Sequence, residues 1–150
     1  MSAKFFFDTN TLVYILEGKE PSPGTALTSS EIEANRKGDI TLGLLQSGDI
    51  FVGVQVFNEL CNVALRKNVD WAKTKDMLAT LEALCLGVVP LTLDVHKRGL
   101  LLHDKYRFQF YDALMLAAAL EAGCTTFYSE DMQDGQVIEG TMTIKNPFKV

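Results

Sequence analysis

Apolar residues recur along the chain in short bursts separated by polar turns, beginning with Phe5, Phe6 and Phe7 followed at once by Asp8. A brief, unbroken apolar run of this kind predicts a strand buried on both faces. Thr11 to Glu17 then turns helical. Gly18 to Ser29 holds Pro21, Pro23 and Gly24 among small polar residues, which predicts a loop. Ser30 with Glu33 has the form of a capping box and predicts a helix toward Gln46, weakened by Gly38. Ser47, Gly48 and Asp49 predict a turn, and Ile50 to Val54 a second short strand.

Val56, Leu60, Val63 and Ala64 recur at helical spacing, so Gln55 to Lys67 reads as an amphipathic helix. Asp70 is the expected N-cap of another, whose apolar positions are Trp71, Met77, Leu78, Leu81 and Leu84. Leu86 to Pro90 predicts a third strand, and Thr92 opens a helix through Val95, Leu100, Leu101 and Leu102. Tyr111 to Ala122 is strongly helical, with Gly123 as its C′ residue. Its Leu114, Met115 and Ala118 form a face expected to pack on the sheet. Thr125 to Ser129 predicts a fourth strand and Thr141 to Ile144 a fifth. Strands that alternate with helices argue for a mainly parallel sheet covered on both faces. The expected fold is one α/β domain over residues 1–150, a three-layer α/β/α arrangement around four to five strands.

Composition agrees with an ordinary globular domain: 150 residues, 47% hydrophobic and 22% charged. No apolar run approaches the roughly 20 residues that span a bilayer. The opening Met1 to Asp8 lacks the apolar region and cleavage site of a signal peptide. A cytoplasmic protein without a membrane partner is therefore expected. Cys61, Cys85 and Cys124 are odd in number, lack a C-x-x-C spacing and sit in apolar stretches, which makes them buried thiols. His96 and His103 are seven apart, but no third ligand lies near them to suggest a metal role.

The acidic residues matter because of where the pattern places them. In parallel sheets, ligands bind beyond the carboxyl ends of the strands. Asp8 ends the first strand and Asp131 follows the fourth. Glu59 lies in the first turns of the helix after the second strand, and Asp112 opens the Tyr111 helix. An acid in a helix's first turn also complements the helix dipole, which is explanation enough for Asp112 or Glu59 alone. Asp8 is different, since a carboxylate closing a triple-phenylalanine strand needs a cation or donors to stay charged. Several such acids at one sheet edge repel each other unless a metal neutralises them, and hard oxygen ligands suit magnesium or manganese. The chain has no Ser-His-Asp arrangement, P-loop or G-x-G-x-x-G motif. What remains is metal-assisted attack on a phosphate.

Four segments carry a resemblance to a known family: Phe7 to Tyr14 (FDTNTLVY), Val56 to Leu60 (VFNEL), Tyr111 to Ala118 (YDALMLAA) and Ser129 to Gly135 (SEDMQDG). In order and spacing the sequence resembles the PIN-domain nucleases, especially VapC-like toxins of bacterial toxin–antitoxin pairs. The resemblance covers nearly the whole chain and implies a PIN-like fold. It implies a metal-dependent endoribonuclease in which Asp8, Glu59, Asp112 and Asp131 are catalytic acids that hold Mg2+ or Mn2+. Asn10 and Ser129 would support the site. Some members place the fourth acid three residues later, at the position of Asp134. The resemblance also implies an RNA substrate, a small antitoxin partner and a homodimer, the last through the helices around Trp71 to Leu84.

The net charge of −5 runs against a phosphate-binding protein, which is usually basic. The four site carboxylates account for −4 of it, and two bound divalent ions would add +4, which leaves the face seen by RNA close to neutral or locally positive. Arg66, Lys67, Lys97, Arg98, Lys105 and Arg107 lie near the acids in sequence and are candidate phosphate contacts, with solvated helix faces as the other reading. Tyr14, Trp71, Tyr106 and Phe108 are candidates for base stacking, although core or partner packing fits them better. Two other functions compete. A PIN fold kept as an RNA- or protein-binding module would bind without turnover. A haloacid-dehalogenase-like phosphatase also begins with an apolar strand ending in Asp, but it requires a second Asp where this chain has Asn10.

Overall fold

The computed structural model of the protein describes residues 3–149. In chain order the elements are β1 (Lys4–Phe7), α1 (Thr9–Glu17), α2 (Ser29–Leu45), β2 (Asp49–Gly53), α3 (Val54–Arg66) and α4 (Trp71–Leu84). There follow β3 (Gly87–Val89), α5 (Leu93–Tyr106), α6 (Phe110–Glu121), β4 (Thr126–Tyr128), β5 (Val137–Ile138) and β6 (Met142–Lys145). The strands form one sheet in the order β3-β2-β1-β4-β6-β5, parallel except for β5 against β6. Six strands form where four or five are expected. The extra one, β5, is a two-residue edge strand ahead of β6, too short to leave a periodic signal in sequence.

The order of strands dictates where a ligand can enter. The chain leaves β1 toward β2 and β3, then returns across the sheet to β4 on the other side of β1. Right-handed crossovers in opposite directions put α1 to α4 on one face and α5 with α6 on the other. The helices' contacts agree, since α1 packs on α2 and α3, and α5 on α6. Beyond the carboxyl ends of β1 and β4 the two sets of connections part and leave a crevice.

The centre of the sheet is aromatic. Phe6, Phe7 and Phe127 are fully buried, and Phe6 stacks on Phe127 across the β1–β4 pair with centroids 5.3 Å apart. Helix α6 is apolar all round: Ala113 to Ala119 are each buried, not only the Leu114, Met115 and Ala118 face. The sheet covers one side and α5 the other, and Gly99 of α5 lies directly against the Leu114 backbone. No helix among the described residues is long and apolar enough to cross a membrane.

Two local expectations need correction. The capping box is Thr28 with Glu31, not Ser30 with Glu33. The same spacing occurs two residues earlier, and Glu33 is instead held by Arg36. Gly38 is not merely a weak point in α2. Its position is buried, and a Cβ there would lie 3.1 Å from the Tyr14 carbonyl oxygen, so α2 can approach α1 only because no side chain intervenes. The contact is reinforced by the buried Thr41 hydroxyl, which donates to the Thr11 carbonyl at 3.1 Å.

Gly38 and Gly43 lie on the same helix and should respond with opposite signs. Gly38→Val is expected to cost about 1–3 kcal/mol, because the added atoms meet backbone. Gly43→Ala, where a Cβ meets nothing within 4 Å, should gain up to about 1 kcal/mol from helix propensity alone. Urea unfolding of the two variants beside wild type checks both. Equal effects would show that α1 and α2 do not meet at Gly38.

Candidate active site

Asp8 is the first residue past β1 and the N-cap of α1. Pairing of Phe7 with Tyr128 sets it beside Ser129, and its backbone N–H donates to the Tyr128 carbonyl at 3.0 Å. The carboxylate is only 7% exposed and is satisfied from several sides. The Thr9 backbone N–H donates to Oδ1 at 2.8 Å, and the fully buried Ser129 hydroxyl donates to Oδ2 at 3.1 Å. Asn10 adds its Nδ2, 3.3 Å from the same Oδ2.

Asn10 ties the two strand ends together. Its Nδ2 also lies 3.1 Å from Ser129 Oγ and 3.2 Å from Asp131 Oδ2, while its Oδ1 accepts the Glu130 backbone N–H at 3.1 Å. An amide carries two protons, so these three acceptors share them. A residue from the start of α1 thus grips Ser129, Glu130 and Asp131 at the start of the turn after β4. Glu59, one turn into α3, accepts from the Thr9 hydroxyl and from Gln55 Nε2 at 2.9 Å. Asp112, in the first turn of α6, is half-buried and makes no hydrogen bond among the described residues.

These positions set the electrostatics. Burial, then the nearby charge of Asp112 and, more weakly, of Glu59, push the Asp8 carboxyl up to about 7, against the downward pull of Thr9 and Ser129. Burial and the charges of Glu59 and Asp131 raise Asp112 as well. Four carboxylates therefore gather beyond the carboxyl ends of β1 and β4, close enough for Glu59, Asp112 and Asp131 to raise Asp8 or Asp112. They do not form a closed ligand shell: among the described residues no group of three His, Cys, Asp or Glu stands in position to hold a metal ion. Glu59 and Asp131 are held by hydrogen bonds from protein donors. Such a donor set, all hard oxygen and mutually repelling, has the chemistry that suits a divalent cation such as magnesium or manganese.

Asp134 faces elsewhere. It accepts the Asn146 backbone N–H at 2.8 Å and lies 3.6 Å from Lys149, which ties the tail to the segment after β4. The basic candidates are not gathered at the acids either. Lys67 pairs with Glu17 and, with Lys19 and Lys73, lines a separate 570 Å³ cavity at the far end of α1. Arg98 pairs with Glu121 at the opposite end of α6 from Asp112. Lys105 pairs with Glu139, while Arg66 and Lys97 are exposed on α3 and α5. Tyr106 and Phe108 stack on each other, and Tyr14 packs edge-on against Phe148.

Sequence reasoning misses three contributors. Thr9 and Gln55 were visible in principle, one adjacent to Asp8 and the other four residues before Glu59 on a helix. The third is a cluster beside the crevice in which Lys37 and the Tyr14 hydroxyl both hold Glu130, with the Lys37 ammonium 5.0 Å from the Tyr14 ring centre. Lys37 and Glu130 are 93 positions apart, and no local pattern links them.

The sequence model of the PIN domain family matches residues 5–133. No curated protein matches by sequence. Among solved structures, the chain is similar to one in a toxin–antitoxin complex from Klebsiella pneumoniae, at 16% identity and TM-score 0.64, with 97% of this chain and 98% of that one covered. It is also similar to a chain of VapBC2 from Rickettsia felis bound to a DNA fragment from their promoter, at 12% identity and TM-score 0.63, covering 95% and 98%. A third likeness is to Mycobacterium tuberculosis VapC20, a Sarcin-Ricin loop cleaving toxin, at 18% identity and TM-score 0.50, covering 82% and 86%.

The raised carboxyl of Asp8 has a consequence for stability. Below its ordinary value of 3.8 it is protonated in both folded and unfolded chains and costs nothing. As pH rises toward about 7 the unfolded chain ionises first, so stability is lost across that window and the full penalty stands above it. In EDTA, Asp8→Asn should therefore be more stable than wild type above pH 7, by up to about 4 kcal/mol at about 1.4 kcal/mol per pKa unit. The gap should close toward pH 4. Thermal or urea unfolding across that range measures it, and a variant less stable than wild type at pH 8 would contradict the electrostatic account.

Proposed function

We propose a function from one premise: the chain belongs to the PIN domain family. On that premise the crevice is the active site of a divalent-metal-dependent endoribonuclease, and the protein is the toxin of a toxin–antitoxin pair. The observation that carries this reading is the placement of Asp8. A buried carboxylate raised to about 7 by burial and by two neighbouring acids is an anion waiting for a cation.

The residues fit such an ion. Asp8, Glu59, Asp112 and Asp131 would hold it, with Asp131 as the fourth acid, since Asp134 is engaged by Asn146 and Lys149. When bound, magnesium or manganese supplies Lewis acidity toward water and the RNA phosphodiester. The remaining work belongs to the chain. Thr9 and Ser129 fix the two oxygens of Asp8, Gln55 and Thr9 orient Glu59, and Asn10 orients Asp131. Asp112, which makes no hydrogen bond among the described residues, is the acid freest to turn toward the ion.

The RNA substrate and the antitoxin are supported by the likeness to VapC20 and to the two toxin–antitoxin complexes. Helix α4 offers a face for association. Only Thr74 and Leu81 of it are buried, and Trp71 and Leu84 are exposed, which suits the expected homodimer. The phosphatase alternative loses ground at Asn10. Its amide is committed to Asp8, Ser129, Asp131 and the Glu130 backbone, so it does not act as a second acid.

Purified protein is expected to cut a mixed RNA pool with magnesium or manganese, to stop in EDTA, and to lose activity on Asp8→Asn. Turnover that survives Asp8→Asn would move the site elsewhere. Stoichiometric RNA binding with no metal-dependent cutting would leave a binding module. Asn10→Ala removes only the brace and should lower the rate or metal affinity by roughly 10–100-fold. An unchanged rate would show that the turn after β4 needs no such support.

A further inference from the structure

Beside the acids runs a groove of 370 Å³ that the chemistry above does not use. One wall is the face of α3 carrying Gln55, Asn58, Glu59 and Asn62, positions spaced to share one side of a helix. The other holds Tyr111 and Leu91. Gln55 is committed to Glu59, but the amides of Asn58 and Asn62 are exposed and make no hydrogen bond among the described residues. Tyr111 is 63% exposed, its hydroxyl makes no hydrogen bond among the described residues, and the one aromatic ring it meets among them is Phe110, edge-on.

We infer that this groove is a subsite for one nucleobase of single-stranded RNA, stacked on Tyr111 and hydrogen-bonded along its edge by Asn58 and Asn62. The inference rests on the nuclease reading, which puts the cleaved phosphate at the acids. The groove begins there, since Glu59 lines it and Tyr111 immediately precedes Asp112.

The lining chemistry selects a base and not a phosphate. No lysine or arginine lines the groove, and its one charged group is Glu59, so a phosphate would be repelled. Uncharged amides each offer two donors and an acceptor, which match the mixed donor and acceptor edges of unpaired bases. An exposed aromatic face beside them is the usual platform for stacking. The volume lies within the range of small-ligand sites. Duplex RNA would not present its base faces to Tyr111, so the strand entering the crevice is unpaired here.

The test uses the Asp8→Asn protein, so that nothing is cut, and a short fluorescent single-stranded RNA read by anisotropy in magnesium. Adding Tyr111→Ala is expected to weaken binding on the order of 10–100-fold, and Tyr111→Phe to retain it. Asn62→Ala should reduce the difference in affinity between oligonucleotides that vary only at one base. An abasic site walked along the RNA should weaken binding at one position, and should add nothing there once Tyr111 is Ala. Equal affinity for Tyr111→Ala and its parent, equal abasic penalties in both, or no RNA binding by the parent overturns the inference. So does a Tyr111→Ala protein that keeps its RNA affinity but shifts from dimer to monomer in sedimentation, which would make the groove a protein interface. The two readings separate cleanly. Binding through Tyr111 with no cutting by wild type sinks the nuclease alone, and metal-dependent cutting indifferent to Tyr111 sinks the subsite alone.

Discussion

Asp8 lies where water scarcely reaches it and where other carboxylates do. A buried anion has three remedies: donors, a cation or a proton. The protein supplies the first through Thr9 and Ser129, yet burial and the acids opposite still win, which leaves the carboxyl raised to about 7. Much else around the crevice follows from that imbalance. Ser129 is fully buried because its hydroxyl must reach Asp8, and β4 must lie beside β1 to deliver it. Asn10 bridges both strand ends and, together with Tyr14, whose hydroxyl donates to Glu130, anchors the turn carrying Asp131 to α1. The strand order β3-β2-β1-β4 is the topology that opens a crevice at this place.

Much of this was legible in the sequence because it is written locally. Phe5 to Phe7 ending in Asp8, the spacing of Val56, Leu60 and Ala64, and the Asp70 and Thr92 caps each depend on residues a few positions apart. Asp8 and Asp131 follow β1 and β4 at the carboxyl edge of the sheet, whereas Glu59 and Asp112 arrive on the first turns of α3 and α6. What was not legible depends on distance or on redundancy. The Lys37 contact with Glu130 spans the chain, and Lys67 has its ion pair on α1, 50 positions away. The capping box was misplaced because two overlapping segments share one spacing, and only packing decides between them. Helix α6 looked one-sided because a run of alanines reads as neutral, whereas the small side chains let the sheet and α5 close on both sides.

Charge is distributed with the same logic. Of the six basic residues that sequence proximity assigned to RNA, Lys67, Arg98 and Lys105 are paired with Glu17, Glu121 and Glu139. Lys37 is bound to Glu130, beside Asp131, and faces the rings of Tyr14 and Phe148. Its effect is mechanical: it holds the residue next to Asp131 in the turn that Asn10 also grips.

The four acids are not held alike, and the difference bears on how such a site would close on an ion. Asp8, Glu59 and Asp131 each accept hydrogen bonds from neighbouring protein donors, whereas Asp112 makes none among the described residues. The backbone beneath Asp112 cannot yield, because the seven residues that follow it are all buried between sheet and α5. Adjustment therefore falls on the Asp112 side chain and on the shared protons of Asn10, which can leave one acceptor for another without breaking the brace. A scaffold this tightly packed under one unanchored carboxylate keeps the donors near a common point while leaving the last step to a side-chain rotation. That arrangement reconciles acids close enough to repel one another with the lack of a ready-made ligand shell among the described residues.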